Sequence, residues 1–204
     1  MSEKQDRFII LKKIKYGESD LIIHALSSSG SKFSFIARGA LRSKKRFGGG
    51  ILEPSHFVTL TYKDVSDEGR LRILNEAILI DDFKAIRNDY DKLEFALFAV
   101  HCAGCVSQEG DTNSEFLFNL LGYTLRAIGT STDLPLLKLH FCIKFLYQQG
   151  VISIESWMTP FLKVNINENQ KLQEIEDIQI CLDTYFESMV SLVLQYIKTA
   201  DAGF

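Results

Sequence analysis

The chain has 204 residues, of which 46% are hydrophobic and 24% charged, and it carries a net charge of −3. That is the composition of a folded protein with room for two small domains, and it excludes wholesale disorder. No segment approaches the roughly 18 consecutive apolar residues of a membrane-spanning helix, and the charged start before a short apolar run at Phe8 to Leu11 does not read as a secretory signal. Together with four irregularly spaced cysteines, this predicts reduced thiols and a cytoplasmic location.

The first 80 residues read as strands. Phe8 to Tyr16 is apolar and then alternating. Period-2 patterns follow around Leu21-Ile23-Ala25, Phe33-Phe35-Ala37, Val58-Leu60-Tyr62 and Leu71-Ile73. Tyr16 to Asp20 and Ser27 to Gly30 are turn-rich breaks between the first three. Five short strands in so little chain predict a small barrel, and the five-stranded OB-fold is the commonest such barrel that holds nucleic acid. From Asp81 the period changes. Leu93, Leu97 and Val100 share a helical face, and Phe116, Leu117, Leu120, Leu121, Leu125 and Ile128 form a second stripe. Asp133 is placed to cap a third helix with Pro135 in its first turn, ending at Gly150. The stretch from Val151 to Glu176 looks irregular, and Ile178 to Ile197 is a clear final helix. The expected fold class is α+β, with an OB-fold barrel over residues 1–80 and a helical domain over 81–204.

Charge divides the chain at the same place. Met1 to Ile80 carries a balance of +5, and Asp81 to Phe204 one of −8. Between Asp20 and Glu53 there is no acidic residue, while Lys32, Arg38, Arg42, Lys44, Lys45 and Arg46 fall in that window. Such a segment binds phosphate backbones by ion pairing and counterion release, although charge runs are as often plain solvated loop. The Gly48-Gly49-Gly50 run predicts a mobile loop. Phe47 is the one aromatic inside it and is the candidate for stacking on a base.

Several of these residues form an ordered series. Tyr16-Gly17-Glu18-Ser19-Asp20, Gly30, Phe35-Ile36-Ala37-Arg38-Gly39-Ala40-Leu41-Arg42-Ser43-Lys44 and Gly50-Ile51-Leu52-Glu53-Pro54 resemble the N-terminal domain of the bacterial RecO recombination mediators. The resemblance implies an OB-fold followed by helices and a DNA-binding protein that is not an enzyme. It further implies binding to single- and double-stranded DNA, annealing of complementary strands, and work with RecR to load RecA onto strands coated by the single-stranded-DNA-binding protein SSB. Two departures stand out. Many relatives carry a cysteine-rich zinc site after the third helix, but Val151 to Glu176 holds no cysteine, so no metal and no other cofactor is expected. His140-Phe141-Cys142 stands where relatives tend to have Arg-Phe-Glu, on a helix linked in some relatives with SSB. The acidic, apolar-ended SSB tail would need an apolar pocket rimmed by cations, and Lys138, His140 and Lys144 are the candidates on that helix. The rival readings are a protein–protein adaptor with a structural barrel, and an RNA-binding OB-fold factor.

Other chemistry finds little support. Cys102 and Cys105 with His101 lack the second close ligand pair that tetrahedral zinc requires, and Cys142 and Cys181 sit singly in apolar stripes. His24 and His56 have no motif-like nucleophile beside them, and Asp64, Asp67 and Glu68 read as a solvated turn. No phosphate-cradling Gly-x-x-x-x-Gly-Lys sequence is present.

Overall fold

The computed structural model describes residues 3–63, 71–110 and 114–201. Asp64, Asp67 and Glu68 lie outside the described residues. Five strands, β1 (Glu3–Tyr16), β2 (Asp20–Ser27), β3 (Lys32–Ala37), β4 (Phe57–Lys63) and β5 (Arg72–Asp81), close into a barrel in the order β1-β2-β3-β5-β4. β4 returns to pair with β1, β3 and β5 run parallel, and the other pairs are antiparallel. This is the OB-fold.

A register shift between Ile10 and Lys12 explains the mixed pattern of β1. Phe8 and Ile10 point into the barrel, and beyond the bulge Lys12, Ile14 and Tyr16 are exposed. The interior is built on rings. Phe8, Phe33, Phe35 and Tyr62 meet with centroids 5.2 to 6.0 Å apart, mostly edge to face, the geometry the ring quadrupoles favour. β5 departs from its sequence pattern. Leu71 and Ile73 are only half-buried, and Leu74 and Ala77 face the core instead. A second register shift, opposite Thr61 and Tyr62, re-phases the strand.

The chain divides into two compact units, residues 1–84 with 107–119, and 85–106 with 120–204. A boundary at Asp81 therefore omits a segment that docks on the barrel. The Lys32 amide donates to the Gln108 carbonyl (2.9 Å), the Gly110 amide donates to Ser31 Oγ (3.0 Å), and Phe57 meets Phe118 edge to face at 5.9 Å. Gly30 is required at this junction. Its φ is 87°, and a Cβ there would lie 2.1 Å from the Ser114 carbonyl oxygen.

The helices are α1 (Lys84–Arg87), α2 (Tyr90–Val106), α3 (Glu115–Thr130), α4 (Leu134–Gln148), α5 (Thr159–Lys163) and α6 (Ile178–Asp201). In the second unit α4 is central. It buries residues on nearly every face, from Leu136 to Leu146, and α2 and α6 pack on it. Its start follows its sequence, because the Asp133 side chain accepts from the Leu136 amide at 3.0 Å and Pro135 sits in the first turn. Gly150, with φ 68°, follows its end. The stretch 151–176, expected to be irregular, holds 3-10 turns at Ser156–Met158 and Ile166–Glu174 around α5. Its Met158, Phe161 and Leu172 fill a core shared with Leu136, Leu139, Ile143 and Leu182. No described helix is long and apolar enough to cross a membrane.

Candidate nucleic-acid interface

The acid-free window takes in most of β2, all of β3 and most of the connection from β3 to β4, and that connection is an ordered structure. Where β3 ends, Gly39 turns with φ 66° and its amide donates to Asp20 Oδ1 at 2.8 Å. The Leu41 amide donates to the Ser19 carbonyl at 2.9 Å. Further on, the Arg46 amide donates to Ser43 Oγ (3.2 Å), and the Arg46 carbonyl accepts from the Ala77 amide of β5 (3.3 Å). Gly49 and Gly50 adopt φ of 70° and 73°, so the glycine run serves a tight turn. Lys13 of β1 pairs with Glu53, and His56, itself buried, donates from Nδ1 to the Ile51 carbonyl at 2.9 Å.

Three side chains pin this connection to the barrel. Ala40, Phe47 and Leu52 are 6%, 6% and 3% exposed and belong to the barrel core. The expectation of a mobile loop is thus corrected: burying a phenylalanine and a leucine contributes about 1.5–3 kcal/mol each. Phe47 is corrected with it, because at this burial the ring belongs to the barrel core and is not an open, solvent-facing platform for stacking. Arg46 lies over that ring, 5.1 Å from its centroid, and donates from Nη2 to the Arg38 carbonyl at 3.0 Å.

The anchored loop displays its cations outward. Arg38, Arg42, Lys44, Lys45 and Arg46 are all exposed. Lys44 and Lys45 have no side-chain partner among the described residues. Arg42 reaches Glu18 at 3.6 Å with both side chains mostly in solvent, an ion pair worth well under about 1 kcal/mol and readily exchanged for a phosphate. Lys32 is set apart from this group. It begins β3 and the loop leaves that strand's other end, so about 20 Å of strand separates Lys32 from Arg38.

Lys32 instead neighbours a second basic row on the barrel's outer face. Lys12 pairs with His24, and His24 with Ser34, whose Oγ is 3.0 Å from His24 Nδ1. Burial, then Lys32 and Lys12, push the His24 pKa below its ordinary value. Lys12, Lys13 and Lys15 are exposed on β1 and were not among the sequence candidates. Their signal was a Lys-Lys-Ile-Lys run inside a strand, which strand patterning alone treats as solvated face.

In the second unit the candidate partner residues do not form an open cationic rim. His140 is completely buried. Its Nδ1 lies 2.9 Å from the side-chain amide of Asn169 and its Nε2 lies 3.2 Å from the Val164 carbonyl. Burial is the main cause of a pKa pushed down to about 4, so His140 is neutral at pH 7 and adds no charge on mild acidification. Lys138 pairs with Glu94 at 3.3 Å and lies over the Phe98 ring, 4.8 Å from its centroid. Lys144 donates to the Leu162 carbonyl at 3.2 Å, and burial lowers its pKa. All three residues spend their polar atoms inside the unit, which corrects their assignment to a partner.

Cys102, Cys105 and Cys142 are buried, and desolvation raises the Cys102 thiol and pushes that of Cys142 up to about 12. Cys105 Sγ has His101 at 3.7 Å. Among the described residues no three His, Cys, Asp or Glu side chains converge as a metal ion requires.

Residues 1–83 match the family model described as recombination protein O, N terminal. A protein of Desulfosudis oleivorans called DNA repair protein RecO is 33% identical over 147 residues, covering 70% of this chain and 55% of its own. Proteins of the same name from Syntrophobacter fumaroxidans and Myxococcus xanthus are 31% and 30% identical over 152 residues, covering 74% of this chain and 59% and 61% of theirs. The chain thus spans somewhat over half the length of these curated relatives. An OB barrel that matches the N-terminal domain, and a likeness that runs on into the helices, place the chain in the RecO family.

Proposed function

We propose that this chain is a DNA-binding protein of recombinational repair that works by binding rather than by catalysis. One observation carries the reading. Five exposed cations project from a single loop that three buried side chains hold against an OB barrel. A fixed array of arginines and lysines whose one close acidic partner, Glu18, is held only by a solvent-exposed ion pair is suited to the phosphate backbone, which carries charge without sequence. Bound strands brought together on such a surface would be screened from mutual repulsion, which favours annealing of complements. Loading of RecA onto SSB-coated strands, with RecR and the SSB tail as partners, belongs to the same proposal and rests on what the resemblance to the RecO family implies; the relatives' names support DNA repair alone. Such work would take place in the cytoplasm. The test is a competition binding assay of the whole chain with single-stranded DNA, duplex DNA and RNA at two salt concentrations. Binding to DNA that weakens steeply with salt supports the reading. Salt-insensitive or absent binding would favour a barrel that is structural and a protein–protein adaptor.

A further inference from the structure

We propose that the pocket under the basic loop takes up one unstacked base of a single strand. The proposal rests on the nucleic-acid reading above and adds to it a source of preference for single strands. The pocket has a volume of about 320 Å³ and lies between the loop and the adjoining ends of β1 and β2. Its floor is apolar, from the buried Leu21, Ala40, Phe47 and Leu52. Gly48 to Gly50 form one wall and offer backbone in place of side chains.

Two features are unexplained by phosphate binding alone. Leu41 lies on the lip of the pocket, 51% exposed, in a loop otherwise studded with cations. An apolar floor beside Lys44 likewise does nothing for a phosphate. A nucleobase fits both, because it has apolar faces and a polar edge, and the phosphates on either side of it carry the charge that Arg42, Lys44 and Lys45 answer. The wall of glycine backbone and the Lys13–Glu53 pair supply donors and acceptors of both kinds for the base edge. Bases in a duplex are paired and stacked and cost free energy to extrude, so a single strand delivers one here far more readily.

The test measures fluorescence anisotropy of the whole chain with three probes of equal length. These are an oligothymidine 20-mer, a 20-mer of abasic deoxyribose phosphate, and a duplex. Two variants accompany the wild type. Gly48→Leu fills the pocket, since Gly48 has a helical backbone and its nearest neighbour to an added Cβ is the Ser43 carbonyl oxygen at 3.8 Å. Leu41→Ser alters an exposed position, so the fold is retained. Wild type is expected to bind oligothymidine at least about fivefold more tightly than the abasic strand. Gly48→Leu should erase that difference while leaving abasic and duplex affinity unchanged, and Leu41→Ser should reduce it. Equal affinity of wild type for the base-bearing and abasic strands overturns the proposal while leaving phosphate binding intact. No binding to any probe overturns the nucleic-acid reading and this proposal with it.

Discussion

His140 is a buried histidine whose protonation can be read through stability. Neutral imidazole has one N–H, and the Val164 carbonyl beside Nε2 can only accept. Asn169 places its Oδ1 beside Nδ1 at 2.9 Å, and that oxygen also can only accept, so the neutral ring donates to one of the two oxygens at a time. Charging the ring would supply a donor to both oxygens, but it would place a cation in an apolar core, and that burial cost outweighs the hydrogen bonds. The pKa accordingly falls from an ordinary 6.5 to about 4. Above pH 6.5 the ring is neutral both folded and unfolded, and its contribution is fully present. Between 6.5 and 4 the unfolded chain takes a proton that the folded one refuses, so stability falls with pH. At about 1.4 kcal/mol per pKa unit the loss is about 3 kcal/mol, complete near pH 4.

Trp157 makes this measurable. It is the chain's single tryptophan, and its ring contacts Phe161 (6.3 Å), which in turn packs on His140 (5.9 Å). Urea unfolding followed by tryptophan fluorescence at pH 7, 6, 5 and 4 should show wild type losing stability more steeply than His140→Gln, which cannot titrate. The variant is weaker at pH 7, and the gap between the two should narrow by about 3 kcal/mol on descending to pH 4. A constant offset across the range would refute the assigned burial and hydrogen bonding.

Three further outcomes are expected. Arg42→Ala, Lys44→Ala and Lys45→Ala combined should lower the dependence of log affinity on log salt by about 2 for single strands, at roughly 0.7 per lost phosphate contact; an unchanged slope removes the loop from the interface. Phe47→Ala should destabilise the barrel by about 3–5 kcal/mol in a denaturant titration, whereas Phe47→Leu should fold and bind DNA nearly as wild type; a well-folded Phe47→Leu protein that has lost most of its affinity would restore the ring as a stacking platform. Gly30→Ala should cost about 2–4 kcal/mol, from a left-handed φ and a collision with the Ser114 carbonyl, and a neutral result in the same titration would mean that the 107–119 segment docks otherwise.

Local rules made much of this legible. Period 2 located the first four strands and only the start of β5, and Asp133, Pro135 and Gly150 bracketed α4, because alternation and capping depend on neighbours a few residues away. The acid-free window pointed to the cationic loop for the same reason. What stayed hidden depends on distant partners. Phe47 is buried because its loop folds back until the Arg46 carbonyl meets the Ala77 amide of β5, 31 residues along the chain. His140 is buried because Asn169, 29 residues on, satisfies its ring. The phase of β5 turns on a bulge, and a bulge leaves no mark on composition. Three glycines in a row implied freedom, but at Gly49 and Gly50 the residue type answers a demand for positive φ in a fixed turn.

That distinction bears on how the loop can work. Ordering a flexible segment costs about 1–2 kcal/mol per residue of backbone, so a mobile basic loop would surrender much of its electrostatic gain when it closed on a strand. Here folding of the barrel has already met that cost, through Ala40, Phe47 and Leu52 inside and the Asp20 and Ala77 hydrogen bonds at the edges. Only the long side chains of Arg42, Lys44 and Lys45 remain to be ordered by a ligand. A phosphate array meeting them gains charge pairing against side-chain entropy and the weak, exposed Arg42–Glu18 pair, and that exposure keeps the exchange reversible. Stability of the barrel and affinity for the polyanion are therefore carried by different atoms of the same short connection. Phe47 and Leu52 hold its shape, while the cations between Arg38 and Arg46 are free to change partners.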